Sequence, residues 1–223
     1  MAERARAIED RLREEYFQLL PEIRRVAEQL EAEARFHLLP ISRALKHYER
    51  LVVRSRVKDC ESALDSLRRR QPEGAAFDLD HPELYTLTHL NDLAGIRIMA
   101  FPRSRLAEIE KTLRGSFPNW TADPVEENGE LTAFTYYGHC AGASNKVKGE
   151  YQIVSMLTGL FWEVEHSAMY KPSPDLKGVA RSLSMQERYK DVLSALKAFE
   201  KEFEASVRIS QLIANLLNYT PQQ

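Results

Sequence analysis

The hydrophobic positions of this chain fall into three regimes. From residue 3 to 34, Ile8, Leu12, Tyr16, Leu19, Leu20, Ile23, Val26 and Leu30 recur every three or four residues, with charge between them. That spacing is one face of a helix. Pro21 stands in the middle and predicts a kink or a division. Ile41, Leu45, Tyr48 and Val52 carry the same period onward and predict a second helix over 41–53. Asp59 predicts the cap of a third helix, from 60 to about 70, ending in Arg68-Arg69-Arg70. Pro72, Gly74 and Pro82 mark a loop.

In the middle of the chain the period drops to two. Ile96, Ile98 and Ala100 alternate with Arg97, Met99 and Phe101, which predicts a strand. Ser104 predicts the cap of a helix through Leu106, Ile109 and Leu113, ended by Gly115 and Pro118. Residues 131–137 and 147–154 predict two more strands. In the latter, Val147, Tyr151 and Ile153 share one face and Lys148, Glu150 and Gln152 the other. A helix over 156–170 follows, and Lys171-Pro172-Ser173-Pro174 breaks the chain. The third regime is a long helical tract over 178–218, with Val192, Leu196, Phe199, Phe203 and Val207 near heptad spacing. That stripe reads either as packing against the core or as a homo-oligomer interface through the C-terminal helices. There is no internal repeat.

The pattern predicts an α+β fold: a small mixed sheet packed with helices, with helical extensions at both ends. The expected division is 1–50 for the N-terminal helices, 50–172 for the core and 173–223 for the C-terminal helices, all in one compact unit.

Composition narrows the classes. Hydrophobic residues make up 43%, enough for an ordinary interior. Lys+Arg number 31 against 33 Asp+Glu, a net charge of -2, so no bulk field steers the chain onto nucleic acid. No apolar run nears the roughly 18 residues of a membrane span. The opening MAERARAIEDRLREEY has no apolar h-region, so no signal peptide is expected. Cys60 and Cys140 are the only cysteines, which rules out a disulfide framework. A cytoplasmic setting is expected.

Asp92 follows Asn91 at the mouth of the first strand, where it reads as a turn residue or as a ligand for Mg²⁺. Glu150 is the carboxylate that can join it if their strands are neighbours. Arg56 and Lys58 lead into the helix that contains Ser62, a solvated basic stretch or a phosphate cradle at a helix N-terminus. Arg97 lies inside an apolar strand and needs a partner, internal or bound. Trp162, His166 and Tyr170 recur every four residues with Lys171 just beyond, on an amphipathic helix with a half-buried His or on one face of a ligand site. His139-Cys140 raises a thiol nucleophile that nothing nearby specifies. No zinc spacing and no Walker loop is present.

Four segments, in order, resemble the synthetase domain of the RelA/SpoT family, which makes the alarmone (p)ppGpp. Arg56-Val57-Lys58-Asp59-Cys60-Glu61-Ser62 is similar to its R-x-K-x-x-x-S stretch. Asn91-Asp92-Leu93-Ala94-Gly95-Ile96-Arg97 resembles its D-x-x-G-x-R strand, and Glu150-Tyr151-Gln152-Ile153 its E-x-Q-[IV] strand. Trp162-Glu163-Val164-Glu165-His166 with Tyr170-Lys171 resembles its W-x-E-x-H…YK helix. The resemblance covers roughly 50–172.

It implies a nucleotidyltransferase-like core and transfer of the β,γ-pyrophosphate of ATP to the ribose 3′-hydroxyl of GDP or GTP. Asp92 and Glu150 would then hold Mg²⁺, with Glu150 also placed as the base. Arg56 and Arg97 would flank the adenine or neutralise charge, and Lys58 and Ser62 would grip phosphates. Tyr136, Tyr137, His139, Gln152, His166, Tyr170 and Lys171 would support the acceptor side. The sequence departs from the family in three places. The G-Y-x-S-x-H-like loop is replaced by FTYYGHCAGASNKVKGE, Ser66 stands where a Lys is common, with Arg68 to Arg70 as substitutes, and Val154 breaks E-x-Q-x-R-T. The donor side is therefore better kept than the acceptor side. The chain length suits a stand-alone synthetase. The altered loop keeps two alternatives open: a toxin-type synthetase that acts on tRNA 3′ ends and needs an antitoxin partner, and a nucleotide-binding module that has lost catalysis.

Overall fold

The computed structural model describes residues 2–70, 77–78, 80–127, 130–165 and 183–218. The chain forms two compact units. The first draws on Met1–Ala44, Val52–Ile98 and Ile109–Ile153, the second on Leu45–Leu51, Met99–Glu108 and Val154–Gln223. The expected boundary at 172 and 173 lies outside the described residues.

The first unit begins with α1, Ala2–His37. Ile8, Leu12, Tyr16, Leu19, Ile23, Val26, Leu30 and Ala34 are all buried, so the predicted stripe is the packed one. Pro21 does not divide the helix. It is exposed, and buried Leu19 and Ile23 on either side hold the helix through the missing hydrogen bond. The helix predicted over 41–53 is not formed. Only α2, Leu39–Arg43, is helical, and β1, Arg50–Val57, begins a few residues later. The run Leu51-Val52-Val53 suits a strand, and it outweighs three residues at helical spacing. α3, Cys60–Arg69, opens where expected, with Asp59 accepting from the Ser62 N–H.

The remaining strands are β2 (Ala94–Phe101), β3 (Thr121–Ala122), β4 (Val125–Glu127), β5 (Glu130–Gly138) and β6 (Gly149–Ser155). Their order is β1-β2-β6-β5-β3, with β4 also on β5. β3 and β4 pair antiparallel with β5, through Thr121 opposite Tyr137 and Val125 opposite Ala133. The edge of β1 is covered by α1. Arg35 donates to the Val53 carbonyl (2.6 Å) and Glu31 accepts the Ser55 N–H (3.2 Å). Between β2 and β3 runs α4, Leu106–Ser116, entered through a 3₁₀ turn at Arg103–Arg105 rather than capped by the Ser104 side chain. One sheet face is sealed by aromatic rings. Tyr151 stacks on Tyr136 (4.9 Å) and on Trp120 (5.3 Å), and Phe117 closes the group.

The second unit contains α5, Met156–Glu165, and α6, Leu183–Asn218, packed on each other. Phe203 of the heptad stripe meets Phe101 (4.8 Å) and Tyr48 (5.9 Å), so part of the stripe is core. Val192 and Phe199 remain half exposed. Among the described residues no helix is long and apolar enough to cross a membrane.

Candidate nucleotide site

Strand pairing assembles the site in the first unit. The Lys58 N–H donates to the Leu93 carbonyl (2.9 Å), and Arg56 stands beside Gly95, so β1 and β2 run in opposite directions. On the other side of β2, Gly95 faces Glu150 and Arg97 faces Gln152, so β2 and β6 advance together. Alternation along each strand then brings Arg56, Arg97, Glu150 and Gln152 to one face. Lys58 and Asp92 sit at the strand ends beside them.

The contacts are specific. Arg56 Nη2 donates to Glu150 Oε1 at 3.1 Å, and Arg97 Nε donates to Gln152 Oε1 at 3.0 Å. Lys58 Nζ pairs with Asp92 Oδ2. A Cβ on Gly95 would lie 3.0 Å from the Glu150 carbonyl oxygen and 3.5 Å from Arg56 Nε. Only a residue without a side chain lets the Arg56–Glu150 pair cross β2 undisturbed. Lys148, two residues before Glu150, donates to Asn91 Oδ1 at 3.0 Å and stands 5.6 Å over the Tyr137 ring.

Burial pushes the Glu150 carboxyl above the usual carboxylate range, and the charge of Asp92 pushes it the same way. Arg56, Lys58 and Arg97 oppose that shift without overcoming it. Two carboxylates and three cations therefore share one electrostatic neighbourhood. Asp92 Oδ1 is buried and has no hydrogen-bond partner. A buried carboxylate oxygen left bare is where a cation fits. Among the described residues no group of three or more His, Cys, Asp or Glu gathers as a metal centre, here or elsewhere. Two carboxylates suffice for Mg²⁺ when phosphate oxygens complete its shell.

The Ser62 hydroxyl donates to Asp59 Oδ2 (2.8 Å), within the cap of α3. Arg68 is tied to Glu9 and Asp65, Arg69 to Ser66, and Arg70 to the His89 carbonyl. Tyr136 is on the opposite sheet face from Glu150. It is buried, and its hydroxyl donates to Glu110 (2.5 Å), so of the two tyrosines it is Tyr137 that meets the site-face residue Lys148. His139 and Cys140 line a separate cavity of about 440 Å³ with Trp120 and Glu33. Burial pushes the Cys140 thiol up to about 12, which leaves no thiolate for nucleophilic work. Trp162 and Glu165 lie on α5 of the second unit. His166, Tyr170 and Lys171 lie outside the described residues.

Two participants carry no role in the sequence reading. Asn91 enters only as the turn residue before Asp92, and Lys148 only as a strand residue on the face of Glu150 and Gln152. The one available signal was that Lys148 shares the alternating face of Glu150 and Gln152.

No protein-family model matches the sequence, and no curated protein matches it. Solved structures do. Small alarmone synthetase 1 from Bacillus subtilis, bound to its product pppGpp, superposes with a TM-score of 0.63 at 18% identity, over 89% of this chain and 99% of that one. A GTP pyrophosphokinase family protein from Streptococcus pneumoniae gives 0.61 at 18% identity, over 91% and 97%. Small alarmone synthetase 2 from Bacillus subtilis gives 0.57 at 16% identity, over 85% and 97%. This chain has the α+β fold of those proteins.

Proposed function

We propose that this protein is an ATP-dependent pyrophosphokinase that acts on the ribose 3′-hydroxyl of GDP or GTP and makes (p)ppGpp-type alarmones. The observation that carries the reading is the Asp92–Glu150 pair among Arg56, Lys58 and Arg97, with Asp92 Oδ1 left bare. The shared fold supports it, since small alarmone synthetase 1 has been solved with an ATP analogue and with pppGpp.

In this reading Asp92 and Glu150 hold Mg²⁺, which supplies charge neutralisation on the transferred phosphates. Arg56, Lys58 and Arg97 hold the same group by charge-assisted hydrogen bonds. Glu150 takes the proton of the 3′-hydroxyl as the general base. The ribose O3′ forms a bond to the β-phosphorus. The bond from that phosphorus to the α,β-bridging oxygen breaks, and AMP leaves with the electron pair. Such transfer is governed by position and charge, which is what the cluster provides.

The test is transfer of label from γ-labelled ATP with Mg²⁺, with GDP, GTP and deacylated tRNA offered in parallel. Label on the guanine nucleotides, lost in Asp92→Ala, is the expected result. Label on tRNA alone would replace this reading with the toxin-type one, and no transfer at all would leave a binding module.

A further inference from the structure

The cations of the site face are not equivalent. Arg56 and Lys58 each meet a carboxylate, and Arg97 meets Gln152. Lys148 is half-buried yet has only neutral partners among the described residues: the Asn91 amide oxygen and the Tyr137 ring. A partly desolvated ammonium with no ion pair of its own gains from an anion that arrives. Both partners fix where that anion would sit. Asn91 ties Lys148 to the loop of Asp92, and Tyr137 ties it to β5, on the side away from Arg56.

Position along the chain gives the second reason. Lys148 immediately precedes β6, two residues before Glu150, so their stems lie no more than roughly 7 Å apart. That is close to the span from a ribose 3′-hydroxyl to its own 5′-phosphate. A nucleotide whose 3′-oxygen lies at Glu150 can therefore reach Lys148 with its 5′-phosphate. The donor phosphates, held at Asp92, Lys58 and Arg56, are not required there.

We infer that Lys148, Asn91 and the Tyr137 ring form the subsite for the 5′-phosphates of the acceptor. Lys148 is the residue that selects a free nucleoside di- or triphosphate. The inference deepens the transfer reading and rests on it. It also gives the altered loop before Glu150 a role, because that loop delivers Lys148.

The experiment is an acceptor series of guanosine, GMP, GDP and GTP with wild type, Lys148→Gln and Lys148→Arg. Lys148→Gln is expected to raise KM for GDP and GTP about 10- to 100-fold, as loss of a charged hydrogen bond does, and to leave KM for ATP within about twofold. Guanosine should not distinguish the variants, and Lys148→Arg should recover much of the loss. A penalty equal across all four acceptors, or one that falls on ATP, would overturn the assignment. So would no penalty. Equilibrium dialysis of GDP alone, without ATP, separates the two levels. Lys148-dependent GDP binding without turnover would sink the transfer reading and keep the subsite. GDP binding that ignores Lys148, or none, would sink the subsite.

Discussion

Glu49 in the second unit and Asp92 in the first are both carboxylates beside a cation, and they are satisfied very differently. Glu49 takes Arg105 on both oxygens, at 3.1 and 2.6 Å, and the Lys46 N–H at 2.8 Å. Both oxygens are engaged, one of them twice. Asp92 has Lys58 on one oxygen and nothing on the other, although that oxygen is buried. The first arrangement stabilises a fold. The second keeps capacity for something that is not protein. Glu200, also in the second unit, marks the contrary limit. It is 1% exposed, neither oxygen makes a well-formed hydrogen bond, and burial raises its pKa, with Glu204 adding to the shift against Ser155 and Arg103. Glu200 is starved and sealed inside its unit, whereas the Asp92 and Glu150 side chains remain 24% and 15% exposed. Want of a partner points to function only where a ligand can reach.

The contrast can be broken at several points. The largest effect is expected at Glu150. Glu150→Gln should lower kcat about 1,000-fold, within the range for loss of a general base, while the melting temperature holds or rises. Equal loss of folded protein would assign Glu150 to stability instead. Next is Gly95→Val, whose side chain would meet the Glu150 backbone at 3.0 Å or closer. A fall in kcat of about 100-fold is expected from misplacing the Arg56–Glu150 pair, read in steady-state kinetics.

Glu49→Ala should show the reverse profile. With side chains 6% and 21% exposed, the Glu49–Arg105 pair is largely buried, and breaking it should cost about 2–3 kcal/mol in denaturant unfolding. The kcat of the fraction still folded should not change. The smallest effect is expected at Glu200. Its folded pKa lies above its unfolded one, so the unfolded state loses the proton first as pH rises. Its contribution to stability is therefore greatest below the ordinary Glu pKa of about 4.3 and is lost as pH climbs toward the raised value. Glu200→Gln should remove that decline and add about 1 kcal/mol at pH 8.

The contrast also explains what the sequence could tell. Asp92, Arg97, Glu150 and Gln152 were legible because a charged residue inside an alternating apolar strand is conspicuous, and because two such strands fell in a recognisable order. Tyr136 and Tyr137 were not separable. Adjacent residues in a strand take opposite faces, and choosing between them needs a register that only Lys148 and Glu110 fix. β1 was misread because Leu45, Tyr48 and Val52 fit a helical period by coincidence, while the β-branched run that decides the matter is only a few residues long. β3 and β4, of two and three residues, carry no period at all. The spacing of Ser62 fits both a phosphate contact and an Asp-capped helix start, and the sequence does not separate the two. Glu49 and Arg105 are 56 residues apart, and nothing local announces their pairing.

The most direct test of the bare Asp92 oxygen is calorimetric binding of a non-hydrolysable ATP analogue, with and without Mg²⁺, to wild type and Asp92→Asn. Asparagine keeps the shape and removes the charge. The account predicts that wild type binds the analogue much more tightly with Mg²⁺ and that Asp92→Asn loses most of that gain while its Mg²⁺-free binding persists. Equal Mg²⁺ dependence in both proteins would contradict it and return Asp92 to the ranks of ordinary turn residues.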